Sequence, residues 1–320
     1  MREKKILRKN MLRSERMNDD FIFQEKKISI QLGNPLYILT ILILFFIIFF
    51  SLKLCHKKGK QFSYRFILGI LIFNFLLHFA KQLLPPYMKG FPSSLWKSTF
   101  ENLCATLILI SPFIFVSKNK YLKDYMYYIG VISGIGVYFF PFGTFGRDLT
   151  NMDVLIDVIR FYVCHIPLVL CGFLMVEEGF HKLDYRRLWS IPITYLTLQC
   201  VIFTNDVVKF ACGGYANECG YIDSKEAWMV FLYRNGPANE STNMGFKENF
   251  DSFLSWLYIP YLMTYKMDGR TYFIPVLWAY LPILSLSYPV GAVLAYPFQK
   301  EQMKIDYRRF LIKMRYRIKK

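Results

Sequence analysis

The chain has 320 residues, 54% of them hydrophobic and 18% aromatic, yet it carries 40 Lys+Arg against 23 Asp+Glu for a net charge of +17. A strongly basic soluble protein would point to a nucleic-acid partner, but this composition, with 31 Phe, is too apolar for that. An integral membrane protein with its basic residues in loops and tails fits both facts, whereas 20% charged residues, seven scattered cysteines and no fixed period argue against disorder, a disulfide scaffold or a solenoid.

Residues 1–34 form a basic arm with nine Lys+Arg and five acids, read as a solvated or membrane-surface segment. A helix needs about 20 predominantly apolar residues to cross a bilayer. Seven windows qualify: Pro35 to Leu54, Arg65 to Leu84, Thr99 to Val116, Tyr125 to Phe142, Val154 to Val176, Trp189 to Phe210 and Tyr272 to Tyr296. The expected fold is therefore all-α, a polytopic bundle of seven transmembrane helices within residues 35–297, with six to eight as the range. The first window is no cleavable signal peptide, being longer than an h-region and followed by Leu54-Cys55-His56-Lys57-Lys58. The last contains Pro275, Pro282 and Pro289, with Pro297 just beyond, and should be kinked. Between the last two lies a long extramembrane loop, 211–270, whose short apolar piece Phe253 to Tyr265 suits an interfacial or re-entrant segment. Residues 298–320 are a basic tail.

Loop charge sets orientation. Lys53, Lys57, Lys58, Lys60, Lys118, Lys120, Lys182, Arg186, Arg187 and the tail from Lys300 to Lys320 fall on one side of a seven-span topology, which should be cytoplasmic. The N-terminus then lies outside.

Ionisable residues at membrane depth are expensive and informative. They are His78 and Lys81 in the second window, Glu101 in the third, Asp157, Arg160 and His165 in the fifth, and Asp206 and Lys209 in the sixth. Most sit near window ends, where snorkelling accounts for them. His165 is central and is followed by Pro167, which frees a backbone carbonyl and favours a polar pocket there. Its partner could be Glu101, Asn205, Asp206 or a cysteine thiol.

Cys104, Cys164, Cys171 and Cys200 fall inside windows, where cysteine is ordinarily a small apolar filler. Cys212 and Cys219 flank a Gly-rich turn compatible with a disulfide on the outer side. No spacing suggests zinc, and Gly130-Val-Ile-Ser-Gly134-Ile-Gly136 reads as small-residue helix packing. Cys104 as nucleophile with His165 as base makes chemical sense, although upright helices would leave the two about 9 Å apart in depth. Tilt, the Pro167 kink or a later start of the fifth span would close that gap.

The run Trp96-Lys-Ser-Thr-Phe-Glu-Asn-Leu-Cys104-Ala-Thr-Leu-Ile-Leu-Ile-Ser-Pro112, then Tyr128-Ile-Gly130-Val-Ile-Ser-Gly134 to Pro141, then Ile159-Arg-Phe-Tyr-Val-Cys-His165, resembles the YwaF family of bacterial integral membrane proteins. That family is similar to the eukaryotic transmembrane protein 164, a lipid acyltransferase. The resemblance covers roughly Leu36 to Phe210. It implies a multi-pass protein of a bacterial cell membrane in which Cys104 and His165 are the catalytic pair and Asn205 matches the family's asparagine on the sixth span. Where bacterial relatives carry a Pro and a His shortly before the cysteine, this chain has Phe100, Glu101 and Asn102.

The leading expectation is acyl transfer from a membrane phospholipid to a lysolipid-type acceptor, with Glu101 or Asn102 orienting the imidazole or helping to hold the oxyanion. No cofactor and no metal are expected, and no nucleic acid; the basic tails would meet an anionic lipid surface. The alternatives are a transporter or channel with His78, Lys81, Asp157, Arg160 and Asp206 along a polar path, or a non-catalytic membrane scaffold.

Overall fold

The computed structural model describes residues 27–141, 143–212, 264–267, 270–273 and 280–318. In chain order these form α1 (Pro35–Lys58), α2 (Lys60–Ala80), the single-turn α3 (Pro85–Met88), α4 (Leu103–Val116), α5 (Lys120–Phe139), α6 (Met152–Glu177), α7 (Ser190–Ala211), β1 (Thr264–Met267), β2 (Arg270–Phe273) and α8 (Tyr280–Ile318). Short 3-10 turns at Lys81–Leu83, Ser93–Ser98 and Tyr185–Arg187 join them.

Asparagine starts four of these helices. Asn34, Asn102, Asn119 and Asn151 each precede the first helical residue, and their side chains accept from the backbone N–H of Tyr37 (2.8 Å), Ala105 (2.9 Å), Tyr121 (3.0 Å) and Asp153 (2.9 Å). Each satisfies a donor that the helix itself cannot, contributing about 1 kcal/mol. Gly59 alone separates α1 from α2 with φ at 82°, a left-handed conformation that a side chain would strain. Lys57 and Lys58 place positive charge at the negative end of α1.

Among the described residues four helices are long and apolar enough to cross a membrane: Pro35–Lys58, Lys60–Leu83, Met152–Glu177 and Ser190–Lys209. The surface of α1 has the composition of a lipid-facing wall, with Leu42, Phe45, Phe46, Phe49 and Phe50 all exposed. The third expected window yields a shorter helix. Its 14 residues cover about 21 Å at 1.5 Å each, less than the ~30 Å hydrocarbon core. The chain before it folds back on α2 instead of extending the helix: Gln82 Nε2 donates to Ser94 O (2.8 Å) and to Ser98 Oγ (2.7 Å), and Ser98 Oγ donates to His78 O (3.2 Å).

At the other end of the chain the expectation needs correction. Tyr272 and Phe273, placed at the start of the seventh window, belong to an antiparallel hairpin in which Thr264 pairs with Phe273 and Met267 with Arg270. The helix begins at Tyr280 and continues through Pro289 and Pro297 into the basic segment as far as Ile318. Apart from this hairpin the described chain is helical. Most of the apolar piece Phe253 to Tyr265, and Cys219 of the Cys212/Cys219 pair, lie outside the described residues; Cys212 is exposed with a free thiol.

The core is built on α5 against α6. Gly130, Gly134 and Gly172 bring the two backbones together: a Cβ on Gly130 would sit 2.9 Å from Leu168 O, and one on Gly172 3.2 Å from Met126 O. This is the small-residue packing expected of the Gly130/Gly134 run. Buried tyrosines fill the surrounding layer, and two of them tie helices together, Tyr127 Oη donating to Leu294 O of α8 (2.9 Å) and Tyr138 Oη to Tyr162 O of α6 (3.2 Å).

At the far end of α5 a buried carboxylate clamps the connection between α6 and α7. Asp124, 1% exposed, receives Arg187 Nε at 2.6 Å, Arg187 Nη2 at 3.0 Å and His181 Nε2 at 2.7 Å. The neighbouring Tyr185 and Arg186 then hold α8, through Tyr185 N to Gln299 Oε1 (2.9 Å) and Arg186 Nε to Asp306 Oδ2 (3.0 Å).

Candidate functional site

A cavity of about 210 Å³ lies where the C-terminal end of α2, the N-terminus of α4 and the middle of α6 converge. His78, Lys81, Tyr87, Lys97, Glu101, Asn102, Cys104, Ala105, Ile108, Arg160, Phe161, Cys164 and His165 line it. Cys104 and His165 therefore share one pocket. α4 starts at Leu103, four residues later than the window, which puts Cys104 in its first turn on the cavity that His165 also lines.

Cys104 is the second residue of α4, one position after Leu103. The Asn102 side chain satisfies Ala105 N, and Asn102 O accepts from Thr106 N (2.9 Å). The N–H groups of Leu103 and Cys104 have no acceptor among the described residues. Beside the thiol, then, are two backbone donors and the positive end of a helix dipole, both suited to negative charge developing at sulfur or at a carbonyl oxygen. Asn102 lines the pocket, but its side-chain oxygen is committed to capping.

His165 is 6% exposed. Its partner is none of the four expected groups: Nδ1 hydrogen-bonds Phe161 O, one turn back on its own helix, at 2.6 Å. A carbonyl only accepts, so Nδ1 carries the proton and the neutral ring leaves Nε2 as a lone pair. Nε2 is buried with no partner among the described residues. A second carbonyl of this part of α6 is also used by a side chain, Asn74 Nδ2 donating to Cys164 O (3.0 Å). The Phe161 ring also packs against the imidazole, tilted by 45° at a centroid distance of 4.5 Å.

Of the other expected residues, Glu101 lines the pocket. Asn205 does not; its Nδ2 donates to Thr99 Oγ1 at 3.0 Å, so α7 holds the segment that leads into α4. Asp157 also lies off the lining. It accepts from Arg147 Nη1 (2.7 Å), Arg160 Nη2 (2.9 Å) and Tyr87 Oη (2.8 Å). Burial pushes the Tyr87 phenol above its ordinary range, which keeps it a donor. Asp206 and Lys209 are buried on α7.

Snorkelling does not describe His78 or Lys81. Both are buried, at 3% and 4% exposure, and both face the cavity. Tyr87, Lys97 and Cys164 join them without having been singled out as site residues, because the 85–98 connection has no periodicity and Cys164 looks like any small apolar residue in a span. Within the described residues no group of three His, Cys, Asp or Glu side chains is placed to hold a metal ion.

These residues fall inside a family match. The TMEM164 family model covers residues 28–217, more than half of the chain. The chain belongs to the TMEM164 family. The match spans α1 to α7 and includes Cys104, His165 and Asn205, and it ends before the hairpin and α8. With its apolar helices, the family places the chain among membrane proteins. No curated protein and no solved structure matches it.

Proposed function

We propose that this TMEM164-family chain is a membrane-embedded lipid acyltransferase that moves a fatty acyl group from a phospholipid to a lysolipid-type acceptor through Cys104 and His165. The observation that carries the reading is one cavity lined by a thiol at a helix N-terminus and by a histidine whose Nδ1 is fixed on a backbone carbonyl while Nε2 is left open. His165 Nε2 takes the proton from Cys104 Sγ, and the thiolate attacks the ester carbonyl of the donor. The N–H groups of Leu103 and Cys104 are placed to hold the oxyanion. Collapse breaks the ester C–O bond, the imidazolium protonates the departing lysolipid oxygen, and the acyl group remains as a thioester. The acceptor hydroxyl then loses its proton to Nε2 while attacking the thioester carbonyl, and the Cys104 thiolate leaves and is reprotonated. No cofactor enters the sequence, and a pocket inside the bundle favours transfer over hydrolysis by limiting water.

Glu101 is the acid nearest the pair in sequence that shares the pocket, a candidate to orient the acceptor, while Asn102 and Asn205 support the position of Cys104 through its helix start. In the proposed topology α1, α2, α5, α6, α7 and the first half of α8 cross a bacterial cell membrane and the shorter α4, with the Ser93–Ser98 segment packed before it, makes the seventh pass, with the N-terminus outside and the C-terminus cytoplasmic. The connections before α4 and before α6 then share the outer side, and the cavity opens in that half. The basic end of α8 would lie on anionic lipid. Three of the five residues a transport path would need, His78, Lys81 and Arg160, line the same cavity as Cys104 and His165, which favours a binding pocket.

Acyl exchange between labelled phospholipid and lysolipid in nanodiscs tests the reading. Cys104→Ala and His165→Ala should each reduce transfer by at least a thousandfold while thermal unfolding stays within a few degrees; exchange that persists in both variants would sink the mechanism.

A further inference from the structure

The cavity contains more positive charge than the acyl-transfer step uses. Lys81, 4% exposed, has no carboxylate within 4 Å among the described residues, although Glu101 lines the same pocket. Of the three donors on its ammonium group, one is accounted for by Lys97 O. Its Nζ lies 5.7 Å from the centre of the Tyr87 ring, and Arg160 Cζ lies 5.2 Å from the same centre. Arg160 has a carboxylate partner in Asp157, but that carboxylate is shared with Arg147, so two guanidinium groups face one negative charge. Lys97 adds a third cation to the lining, and His78 adds a buried Nε2 with no partner among the described residues.

A buried ammonium with no carboxylate in contact is costly at membrane depth, even with Glu101 on the same cavity. Cation–π contact and one carbonyl offset part of that penalty. An anion that brings several acceptor oxygens offsets the rest, because cationic residues line the cavity from three separate elements: Lys81 at the end of α2, Lys97 in the 3-10 turn and Arg160 on α6, whose Nη1 is not engaged by Asp157. A tetrahedral phosphate fits this arrangement better than a carboxylate, whose oxygens lie in one plane.

We propose that the Lys81, Lys97 and Arg160 side of the cavity is a phosphate subsite, next to Cys104 and His165. In the acyl-transfer reading, on which this part rests, the phosphate is that of the lipid headgroup, and its anchoring presents the glycerol ester to Cys104. The enzyme then selects phosphoglycerolipids over neutral glycerolipids with the same acyl chains.

The test is a binding measurement that does not depend on turnover. The full chain carrying Cys104→Ala, in neutral detergent, is titrated with fluorescent phosphatidylcholine, with diacylglycerol of the same chains, and separately with inorganic phosphate. The phospholipid should bind at least 10-fold more tightly than diacylglycerol. Lys81→Met should remove that preference, a loss of about 10- to 100-fold for hydrogen bonds to a charged group, and Lys81→Arg should retain most of it. Because Lys81 is buried, the unmutated side chains supply a second measurement: added sulfate should weaken phospholipid binding and leave diacylglycerol binding alone, and the exposed Lys97→Met should act in the same direction. Lys81-dependent binding of inorganic phosphate with no preference between the two lipids would also support the subsite and assign it to free phosphate. Equal binding of both lipids with no effect of sulfate or inorganic phosphate overturns it. A preserved phospholipid preference in a chain that shows no Cys104-dependent transfer would retain the subsite and reject the acyl-transfer mechanism.

Discussion

Substituting Gly134 by alanine isolates the close approach of α5 and α6 beneath His165. A Cβ built there overlaps Val169 Cγ2 and lies 3.1 Å from Val169 N and 3.3 Å from His165 O. The opposing methyl belongs to a β-branched side chain on a helix, with little rotamer freedom, and the next two atoms are backbone, so α6 must move. Overpacking of this kind costs about 1–3 kcal/mol. Gly136, two residues on in the same helix, has nothing within 4 Å of its built Cβ. The gain from replacing glycine by alanine in a helix, up to ~1 kcal/mol, applies at both sites. It cancels in the comparison, so Gly134→Ala should be less stable than Gly136→Ala by about 1–3 kcal/mol. The shift also displaces His165, and a displacement near 1 Å at a reacting group can lower the rate about a hundredfold. Reversible unfolding in mixed micelles gives the first quantity and acyl exchange the second. Equal stability and equal activity of the two variants would refute the packing argument.

Asp124→Ala removes the carboxylate shared by Arg187 and His181 and leaves the half-buried guanidinium with only its longer contact to Asp184 (3.5 Å) and the Lys182 carbonyl; a loss of about 1.5–3 kcal/mol is expected by the same unfolding measurement, with a loss below ~0.5 showing that the clamp is idle. Asn205→Ala deletes one hydrogen bond, about 1 kcal/mol, and Thr99→Val deletes that bond together with the one from Thr99 Oγ1 to Trp96 O (2.6 Å); both should lower transfer severalfold by loosening the entry to α4. In a double-mutant cycle the pair should be no worse than Thr99→Val alone, and simple additivity would mean the two residues act separately. Asp306 is held down to about 2, first by the Arg186 hydrogen bonds and then by Tyr185, from an ordinary 3.8. A depressed carboxylate contributes docking that is fully present above 3.8 and lost as pH falls through about 2. The end of α8 should therefore stay docked throughout the physiological range and be released at pH 7 by Asp306→Asn, read as faster proteolysis after Lys304; unchanged proteolysis would mean the contact is not what holds the helix.

Hydropathy marked α1, α2, α6 and α7 to within a few residues, because each is long and continuous enough to carry its own signal. Hydropathy windows take no account of the asparagines before α1, α4, α5 and α6, and Asn102 matters most, since it sets Cys104 one residue inside a helix instead of several residues into a span. What the sequence left hidden is tertiary. Pro167 indicated a freed carbonyl near His165, but the ring binds Phe161 O, a choice decided by rotamer and neighbours and not by composition. Lys81 is the clearest case. A lysine near the end of an apolar window reads as a snorkelling side chain, and it would be one if the following residues left for solvent. They instead fold back as the Ser93–Ser98 turn, whose Lys97 carbonyl covers the ammonium, and α6 closes the other side with Arg160. Whether a cation at a window end is solvated or stored for a ligand is decided by the connection that follows it, and that connection has no periodic pattern from which its path could be read.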